Sequence, residues 1–187
     1  MANSATQVVT GLVRLSYLNV FAPRKMEGQE GDGKYSACIL IPKSDKQTLS
    51  AIKSACEAAR LGSAGLFGGK IPEKLKLPLH DGDGEMPNGG EYGPECKGMY
   101  VLNASSKQQP GLVDRRCNRI IDQTQLYSGC WAHVDLNFFA YKAQGNQGIG
   151  AGLNNIQKVR DDEPLGGRKR AEDVFSPVED DEDEFGL

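Results

Sequence analysis

The chain has 187 residues, 39% of them hydrophobic, and a formal net charge of −3. This length predicts one folded domain with a tail, and a mean hydropathy of −0.48 is typical of a soluble globular protein. No apolar run approaches the length of a membrane span. The first residues, MANSATQVV, contain neither the basic nor the apolar region of a signal peptide, so we expect an intracellular protein.

Alternation of apolar and polar side chains predicts a chain built mainly of β-strands. In the first strand Val9, Val13, Leu15 and Tyr17 are expected to face the core. The predicted strands, in chain order, are residues 8–21, 35–42, 97–106, 110–114, 127–142 and 153–160. About five strands of this kind suit a small curled barrel, so the predicted fold class is mainly β.

One helix and several long loops fill the intervals between these strands. Ser44 is the predicted N-cap of the helix, Gln47 completes a capping box, and Gly62 is the predicted end. Segments rich in glycine and polar residues predict a loop at 22–34, an irregular excursion at 62–97 and a turn at 143–152.

The strand predicted at 127–142 has two faces of different chemistry. One face is apolar and is expected to lie in the core. The other carries rings among polar groups, in the order Trp131, His133, Asp135, Asn137, Phe139 and Tyr141. Exposed rings stack on nucleobases with about 1–3 kcal/mol per base, whatever the sequence. The alternative is that a loop or a dimer partner covers part of this face.

These patterns define the candidate side chains for binding nucleic acid. Trp131, Phe139 and Tyr141 are the candidate stacking rings, His133 lies on the same face, and Tyr35 and Tyr100 are further candidates on neighbouring strands. Phosphate contacts are expected from Lys107, Arg115, Arg116 and Arg119, because guanidinium and ammonium groups suit phosphate. The alternative for the arginines is a solvated loop with ion pairs to Asp114 and Asp122.

The charge is divided unequally along the chain. Residues 171–187 carry eight acids and no Lys or Arg, and the other residues hold 22 basic against 17 acidic groups, a net charge of +5. A basic folded part followed by an acidic tail predicts a polyanionic partner, with the tail as an internal competitor.

Other motifs do not support catalysis or a cofactor. Asp81, Asp83 and Glu85 alternate as a calcium loop begins, but the later glycine and glutamate of such a loop are missing. They leave a metal-dependent nuclease as a remote alternative. Neither histidine lies in a nucleophile motif, and the five cysteines lack zinc spacing, so we expect reduced thiols, no metal and no cofactor.

Several stretches resemble a family of bacteriophage-encoded single-stranded-DNA-binding proteins, long catalogued as a domain of unknown function. The stretches are PLHDGDGE, GMYVLNASSKQQPGLVD and the run from YSGCWAHVDLNFFAYK to VRDDEPLGG, of which the part with GLNN is the most specific. The resemblance covers roughly residues 8–165. His80 stands where we would expect an arginine in the family's acidic turn.

The resemblance implies an OB-fold barrel over residues 1–165 and a flexible linker with an acidic tail over 166–187. It implies sequence-independent binding of single-stranded DNA during phage replication, recombination or repair in the infected host cell, without enzymatic activity. A strand-annealing recombination protein is the leading alternative, RNA binding is left open, and so is a homo-oligomer. The tail is expected to mimic DNA and to bind replication or recombination proteins through Asp180, Asp181, Glu182, Asp183, Glu184 and Phe185.

Overall fold

The computed structural model describes residues 4–25, 27–28, 30–166 and 171–177, so the predicted tail contacts at 180–185 lie outside the described residues. The strands are β1 (Gln7–Val9), β2 (Val13–Arg24), β3 (Lys34–Pro42), β4 (Leu79–Asp81), β5 (Met99–Ser106), β6 (Gly111–Val113), β7 (Trp131–Ala143) and β8 (Asn146–Arg160). The helices are α1 (Lys46–Leu61) and the single turn α2 (Ala171–Val174).

Five long strands close into a barrel in the order β2, β3, β5, β8 and β7, with β7 pairing again with β2. Neighbouring strands are antiparallel except β5 and β8, which pair in parallel. The short strands β1, β4 and β6 extend the sheet beside β7, β5 and β8. This architecture confirms the predicted mainly-β class and the five-stranded barrel of OB-fold type.

The inward-facing side chains of the five long strands form the core. Leu15, Ile39, Leu102, Leu136 and Ile156, one from each strand, have no exposed surface. Burial of each such side chain contributes about 1.5–3 kcal/mol. The apolar face of α1 packs on the same core, mainly against β7 and β1. No helix within the described residues is long and apolar enough to cross a membrane.

The N-cap of α1 differs by one residue from the prediction. Asp45, not Ser44, accepts a hydrogen bond from the backbone N–H of Thr48 at 3.1 Å. The Thr48 hydroxyl also donates to Asp45 at 2.6 Å, so the carboxylate is fixed at the helix start. A carboxylate there complements the positive end of the helix dipole better than a hydroxyl does. The predicted end at Gly62 is confirmed.

The strand predicted at 8–21 is two strands, and two of its side chains face the opposite way from the prediction. Val9 is 58% exposed, whereas its neighbour Val8 is buried. Tyr17 is 70% exposed, because the pairing register shifts between Ser16 and Asn19 and Tyr17 has a φ of 45°. A β-bulge with one left-handed residue therefore turns the ring outward.

The glycine-rich segment at 143–152, predicted as a turn, belongs mostly to a strand. β8 begins at Asn146, and Ala143 pairs with Asn146, which leaves a two-residue turn of Gln144 and Gly145. Both turn residues have positive φ, 47° and 80°, as a type I′ hairpin requires. The remaining glycines continue the antiparallel ladder with β7.

The cysteines lie mostly in the interior. Cys117 is exposed, the other four are buried, and all five are free. Burial raises the pKa of the Cys38 thiol to about 12 and that of Cys56 to about 11. Thiols with pKa values this high stay protonated at neutral pH and behave as small apolar side chains.

Candidate nucleic-acid interface

The outward side chains of β7 form a continuous surface, the β7 face. The predicted alternation is confirmed, since Ala132, Val134 and Leu136 are fully buried while the residues between them lie on the outside of the barrel. The six outward residues are those predicted from the sequence, from Trp131 to Tyr141. Strand alternation alone therefore located this surface.

At one end of the β7 face, Phe139 and Tyr141 lie across glycines of β8. Phe139 pairs with Gly150 and Tyr141 with Gly148. A Cβ atom at Gly150 would come within 2.8 Å of the Phe139 ring, and one at Gly148 within 3.1 Å of the Tyr141 hydroxyl. The rings are 45% and 36% exposed. The glycines thus let both rings lean on the sheet and leave them open to solvent.

Two lysines lie near this end of the face, and sequence analysis did not identify them. Lys142 lies over the ring of Phe67, with its Nζ 5.9 Å from the ring centroid. The carbonyl of Lys76 accepts a hydrogen bond from the N–H of Ile149 at 2.8 Å, which places Lys76 beside Gly148 and Tyr141. The excursion at 62–97 therefore returns to the barrel at the rings. Its lysines had no periodic signal that would have linked them to β7.

Trp131, at the other end of the face, is half-buried and already has polar partners. Its Nε1 donates to Asp162 at 2.7 Å, and this hydrogen bond holds the pKa of Asp162 below its usual range. The guanidinium of Arg160 lies 4.9 Å from the ring centroid and covers part of the ring. A base that stacks here has to displace or join the Arg160 side chain.

The middle of the face is polar and internally hydrogen-bonded. Nδ1 of His133 lies 3.1 Å from the carbonyl oxygen of Thr10. Asp135 accepts hydrogen bonds from Gln7 at 2.9 Å and from Asn155 at 2.8 Å. The two aromatic ends are therefore separate, since the eight residue steps from Trp131 to Phe139 span about 26 Å of strand.

The arginine-rich loop after β6 lies against the outer side of β8. Asp114 accepts hydrogen bonds from the N–H groups of Arg116 and Asn118 at 2.8 and 2.9 Å. These bonds, that from Asn118 first, hold the pKa of Asp114 below its usual range. Gln157, which pairs with His133, reaches the carbonyl of Arg115 at 3.5 Å. The loop is thus placed next to the centre of the β7 face.

The ion pairs considered for these arginines are not formed. Asp114 is used by backbone N–H groups, and Asp122 accepts from the N–H and hydroxyl of Thr124. Within the described residues, no salt bridge involves Arg115, Arg116 or Arg119, and all three are exposed. Their charge is therefore available to a ligand.

The other predicted residues lie apart from this surface. Tyr100 packs against the barrel core, with Lys43 5.4 Å from its ring centroid. Tyr35 is half-buried and pairs with Ser106 near the end of β5. Lys107 is exposed in the turn that follows. The structure thus brings Phe139 and Tyr141 together, and it places Tyr35 and Tyr100 on other strands.

The acidic turn around β4 forms ion pairs with a lysine. Nζ of Lys43 lies 2.6 Å from a carboxylate oxygen of Asp81 and 2.6 Å from one of Asp83. Hydrogen bonds to Lys43 hold the pKa values of both carboxyls below their usual range. Among the described residues, no three His, Cys, Asp or Glu side chains are grouped to hold a metal ion.

A second surface, the groove, crosses the outer side of β2, β3 and β5 and was not predicted. It consists of two adjoining cavities of about 700 and 640 Å³ that share Tyr17, Asn19 and Arg24. The lining also includes Lys25, Lys34, Ser36, Asn103, Ser105, Glu27 and Glu95. Because the groove is lined from distant parts of the chain, no local pattern indicates it.

A strained residue presents a ring in the groove. Tyr17 has a left-handed backbone, a conformation that costs a non-glycine residue about 1–3 kcal/mol. Asn19 donates to the Tyr17 carbonyl at 3.1 Å, and the N–H of Leu18 donates to Ser128 at 3.1 Å. These bonds hold the bulge in place and keep the Tyr17 ring outside the barrel.

Comparisons with known proteins found one family model and several similar solved structures. A family model described as the ssDNA-binding protein of Enterobacter phage Enc34 matches residues 6–186. The single-stranded DNA-binding protein from bacteriophage Enc34, solved in complex with ssDNA, is 26% identical, with a TM-score of 0.72 over 86% of this chain and 90% of that chain. The single-stranded DNA binding protein gp2.5 of bacteriophage T7 is 15% identical, with a TM-score of 0.59 over 94% and 96%. No curated protein matches the chain.

Proposed function

The chain belongs to the Enterobacter phage Enc34 ssDNA-binding protein family, and we propose that it binds single-stranded DNA, without sequence preference, during phage DNA replication, recombination or repair. The OB-fold barrel suits this function because its outer surface can follow an extended strand. We place the binding site on the β7 face and the arginine loop beside it.

The observation that carries this site is the pairing of exposed rings with glycines. Phe139 and Tyr141 lean on Gly150 and Gly148, so their outer sides are open to a base while the strand still forms its full ladder. Ring faces accept any base, which explains binding without sequence preference. The arginines of the neighbouring loop, which form no ion pair with any described residue, supply the charge for phosphates.

A binding assay with matched oligonucleotides tests this function. Fluorescence anisotropy is measured with labelled single strands of three unrelated sequences, with the RNA equivalents and with a DNA duplex. We expect similar affinities for the three DNA strands and much weaker binding of the duplex, whose bases are already stacked. Strong preference for one sequence or for the duplex would contradict the proposal. The RNA arm decides between a DNA-directed and an RNA-directed role.

We further propose that the protein acts without catalysing a reaction. The carboxylates considered for a nuclease, Asp81 and Asp83, both form ion pairs with Lys43 and close a turn. A labelled oligonucleotide incubated with protein and magnesium should remain intact. Degradation that disappears in the Asp81→Ala/Asp83→Ala variant would support the nuclease alternative.

The acidic tail is proposed to be a separate module that starts at about residue 166. The preceding segment is still fixed to the barrel, because the N–H of Leu165 donates to the Ser128 carbonyl at 2.8 Å. Beyond it, residues 166–187 carry eight acids and three basic residues, whereas residues 1–165 have a net charge of +2. We propose that this tail competes with DNA and that its Phe185 helps to bind replication or recombination proteins in the host cytoplasm. A homo-oligomer is compatible with this arrangement.

A further inference from the structure

The stretch at residues 61–77, where α1 ends and the excursion begins, presents an apolar surface to solvent. Four of the six exposed Val, Leu and Ile side chains that the structure describes before residue 166 lie in this stretch, namely Leu61, Leu66, Ile71 and Leu77. The exposed side chains of residues 61–77 are called the excursion patch below. We propose that the excursion patch is the docking site of the chain's own acidic segment at residues 179–187. The inference rests on the proposed function for the role of that segment.

The excursion patch is one surface that the fold holds in place. The guanidinium of Arg60 donates to the carbonyl of Pro72 at 2.7 Å, which returns the chain at residue 71 to the end of α1. Leu66 lies in the turn between them. Leu75 is buried in the core and anchors the far side of the stretch to the barrel. An apolar surface that is fixed before a ligand arrives binds it with a smaller loss of conformational entropy.

Lysines accompany the apolar side chains of the excursion patch. Lys70, Lys74 and Lys76 are exposed, and Glu73 is the only acid in the stretch. None of the three lysines forms an ion pair with any described residue. Aliphatic side chains offer a nucleobase no ring on which to stack, so the patch differs in chemistry from the β7 face. Cations beside exposed aliphatic groups suit a peptide in which acids adjoin apolar residues.

The segment at residues 179–187 has this composition. Residues 179–184 are six consecutive acids, and Phe185 and Leu187 follow them. The chain from Gly166 to Phe185 can extend over as much as about 60 Å. A domain of this size is about 40 Å across, so the segment can reach the patch. Because it belongs to the same chain, its effective concentration there is on the order of millimolar, which favours it over a separate protein of similar composition.

The excursion patch adjoins the ring end of the β7 face. A Cβ atom at Gly148 would lie 3.1 Å from the Tyr141 hydroxyl and 3.3 Å from the Cβ of Lys76, so Lys76 is next to that ring. The phosphates of a strand stacked on Tyr141 would therefore lie near the docked acids, and like charges repel. Bound DNA is thus expected to release the segment from the patch and to free Phe185 for other proteins.

Photo-crosslinking of the full-length protein tests the inference. Phe185 is replaced by p-benzoylphenylalanine, the protein is irradiated without DNA, and mass spectrometry maps the adducts on the barrel. We expect most adducts within residues 61–77. Adducts mainly on the arginine loop at residues 115–121 or on the β7 face would overturn the docking site, and so would the absence of adducts on the barrel.

Matched variants in the same crosslinking protein test the two kinds of contact. Ile71→Ser removes an exposed apolar side chain from the patch, and Ile121→Ser removes one elsewhere. We expect a several-fold loss of patch adducts in the first variant and little change in the second. Equal yields in both variants would contradict an apolar contact with the patch.

The charge is tested by a second matched pair. Lys70→Gln with Lys74→Gln removes two exposed charges from the patch, and Lys46→Gln with Lys53→Gln removes two from the outer side of α1. The net charge of the two proteins is the same. We expect the patch pair to lose adducts several-fold more than the α1 pair, and equal losses would overturn a specific contact between the acids and the patch.

A last measurement adds saturating oligothymidylate before irradiation and separates this inference from the proposed function. We expect DNA to lower the yield of patch adducts several-fold. Patch adducts that DNA leaves unchanged would support the docking site and contradict competition between the tail and DNA. A protein that binds oligothymidylate but forms no patch adducts would overturn the docking site alone. A protein that does not bind oligothymidylate would contradict the proposed function itself.

Discussion

At the scale of the residue, the β7 face depends on side chains that the core does not need. Phe139 and Tyr141 are exposed, whereas Phe138, on the other side of the strand, is buried. Their substitution is therefore expected to change binding more than stability. Trp131 differs, because its indole is hydrogen-bonded to Asp162 and its substitution is therefore expected to change stability as well.

The substitutions Phe139→Ala and Tyr141→Ala should each weaken binding of single-stranded DNA by about 1–3 kcal/mol, because each removes one stacking partner. The dependence of affinity on salt should not change, since no charge is lost. Anisotropy titrations at several salt concentrations measure both quantities. Ile121→Ala, which truncates an exposed apolar side chain elsewhere (81% exposed), is the control. Unchanged affinity in both ring variants would remove the rings from the site.

The glycines under these rings give a second residue-scale prediction. The substitution Gly150→Ala places a Cβ atom 2.8 Å from the Phe139 ring, so the ring has to move. Binding should weaken in the wild-type background and change little in the Phe139→Ala background. A double-mutant cycle measured by anisotropy gives this coupling. Additive effects of the two substitutions would show that Gly150 acts in some other way.

At the scale of the element, the N-cap of α1 is Asp45, one position after the predicted Ser44. Asp45→Ala should destabilise the protein by about 0.5–2 kcal/mol, because it removes the acceptor for the Thr48 N–H. Ser44→Ala should have little effect. Urea unfolding followed by circular dichroism compares the two variants. Equal losses in both would mean that Ser44 shares the capping role.

The arginine loop is the element expected to set the salt dependence. Substituting Gln for Arg115, Arg116 or Arg119 should lower the log–log salt slope by about 0.7 for each phosphate contact that is lost. Affinity should fall about equally for all DNA sequences. Lys53→Gln on the outer side of α1 removes one exposed charge and is the matched control. A slope that falls equally in the control would point to net charge rather than to contacts.

The elements also show which parts of the fold could be predicted from the sequence. β7 was predicted because every second residue of a long strand is apolar. The first half of β8 was not predicted as a strand. Gly148, Gly150 and Gly152 have no side chains, so the sequence there shows no alternation of apolar and polar residues. The outward turn of Tyr17 was missed for a related reason, since a bulge changes the alternation without changing the composition.

The candidate site was predictable to the extent that it lies on one strand. Phe139 and Tyr141 share β7 and were found by their spacing. Lys76 and the groove residues come from segments that the fold brings together over long separations in the chain, such as Arg24 and Asn103. The hydrogen bonds from backbone N–H groups to Asp114 could not be predicted from the sequence either, because they depend on the conformation of the loop.

At the scale of the whole molecule, the division of charge gives the last prediction. Deleting residues 171–187 changes the formal net charge from −3 to +5. If the tail competes with DNA, the truncated protein should bind single strands more tightly. The gain in affinity should be largest at low salt. At 0.1 M salt the screening length is only about 10 Å, so the attraction between the tail and the basic surface is already weakened. Anisotropy titrations of both proteins at several salt concentrations measure it.

A matched variant separates competition from partner binding. Phe185→Ala keeps every charge of the tail, so it should leave DNA affinity nearly unchanged and weaken the capture of replication proteins. Equal DNA affinity with and without the tail at low salt would reject competition.

The interleaving of rings and glycines between β7 and β8 has a consequence for how this surface can evolve. Asn137, Phe139 and Tyr141 each stand opposite a glycine of β8, and a Cβ atom at any of these glycines would meet the facing side chain. A larger residue at one of these glycines therefore becomes acceptable only after the facing side chain on β7 has become smaller. The six positions should co-vary as three pairs across homologous sequences. Homologues without an aromatic residue at position 139 or 141 should be those in which other residues replace the facing glycine.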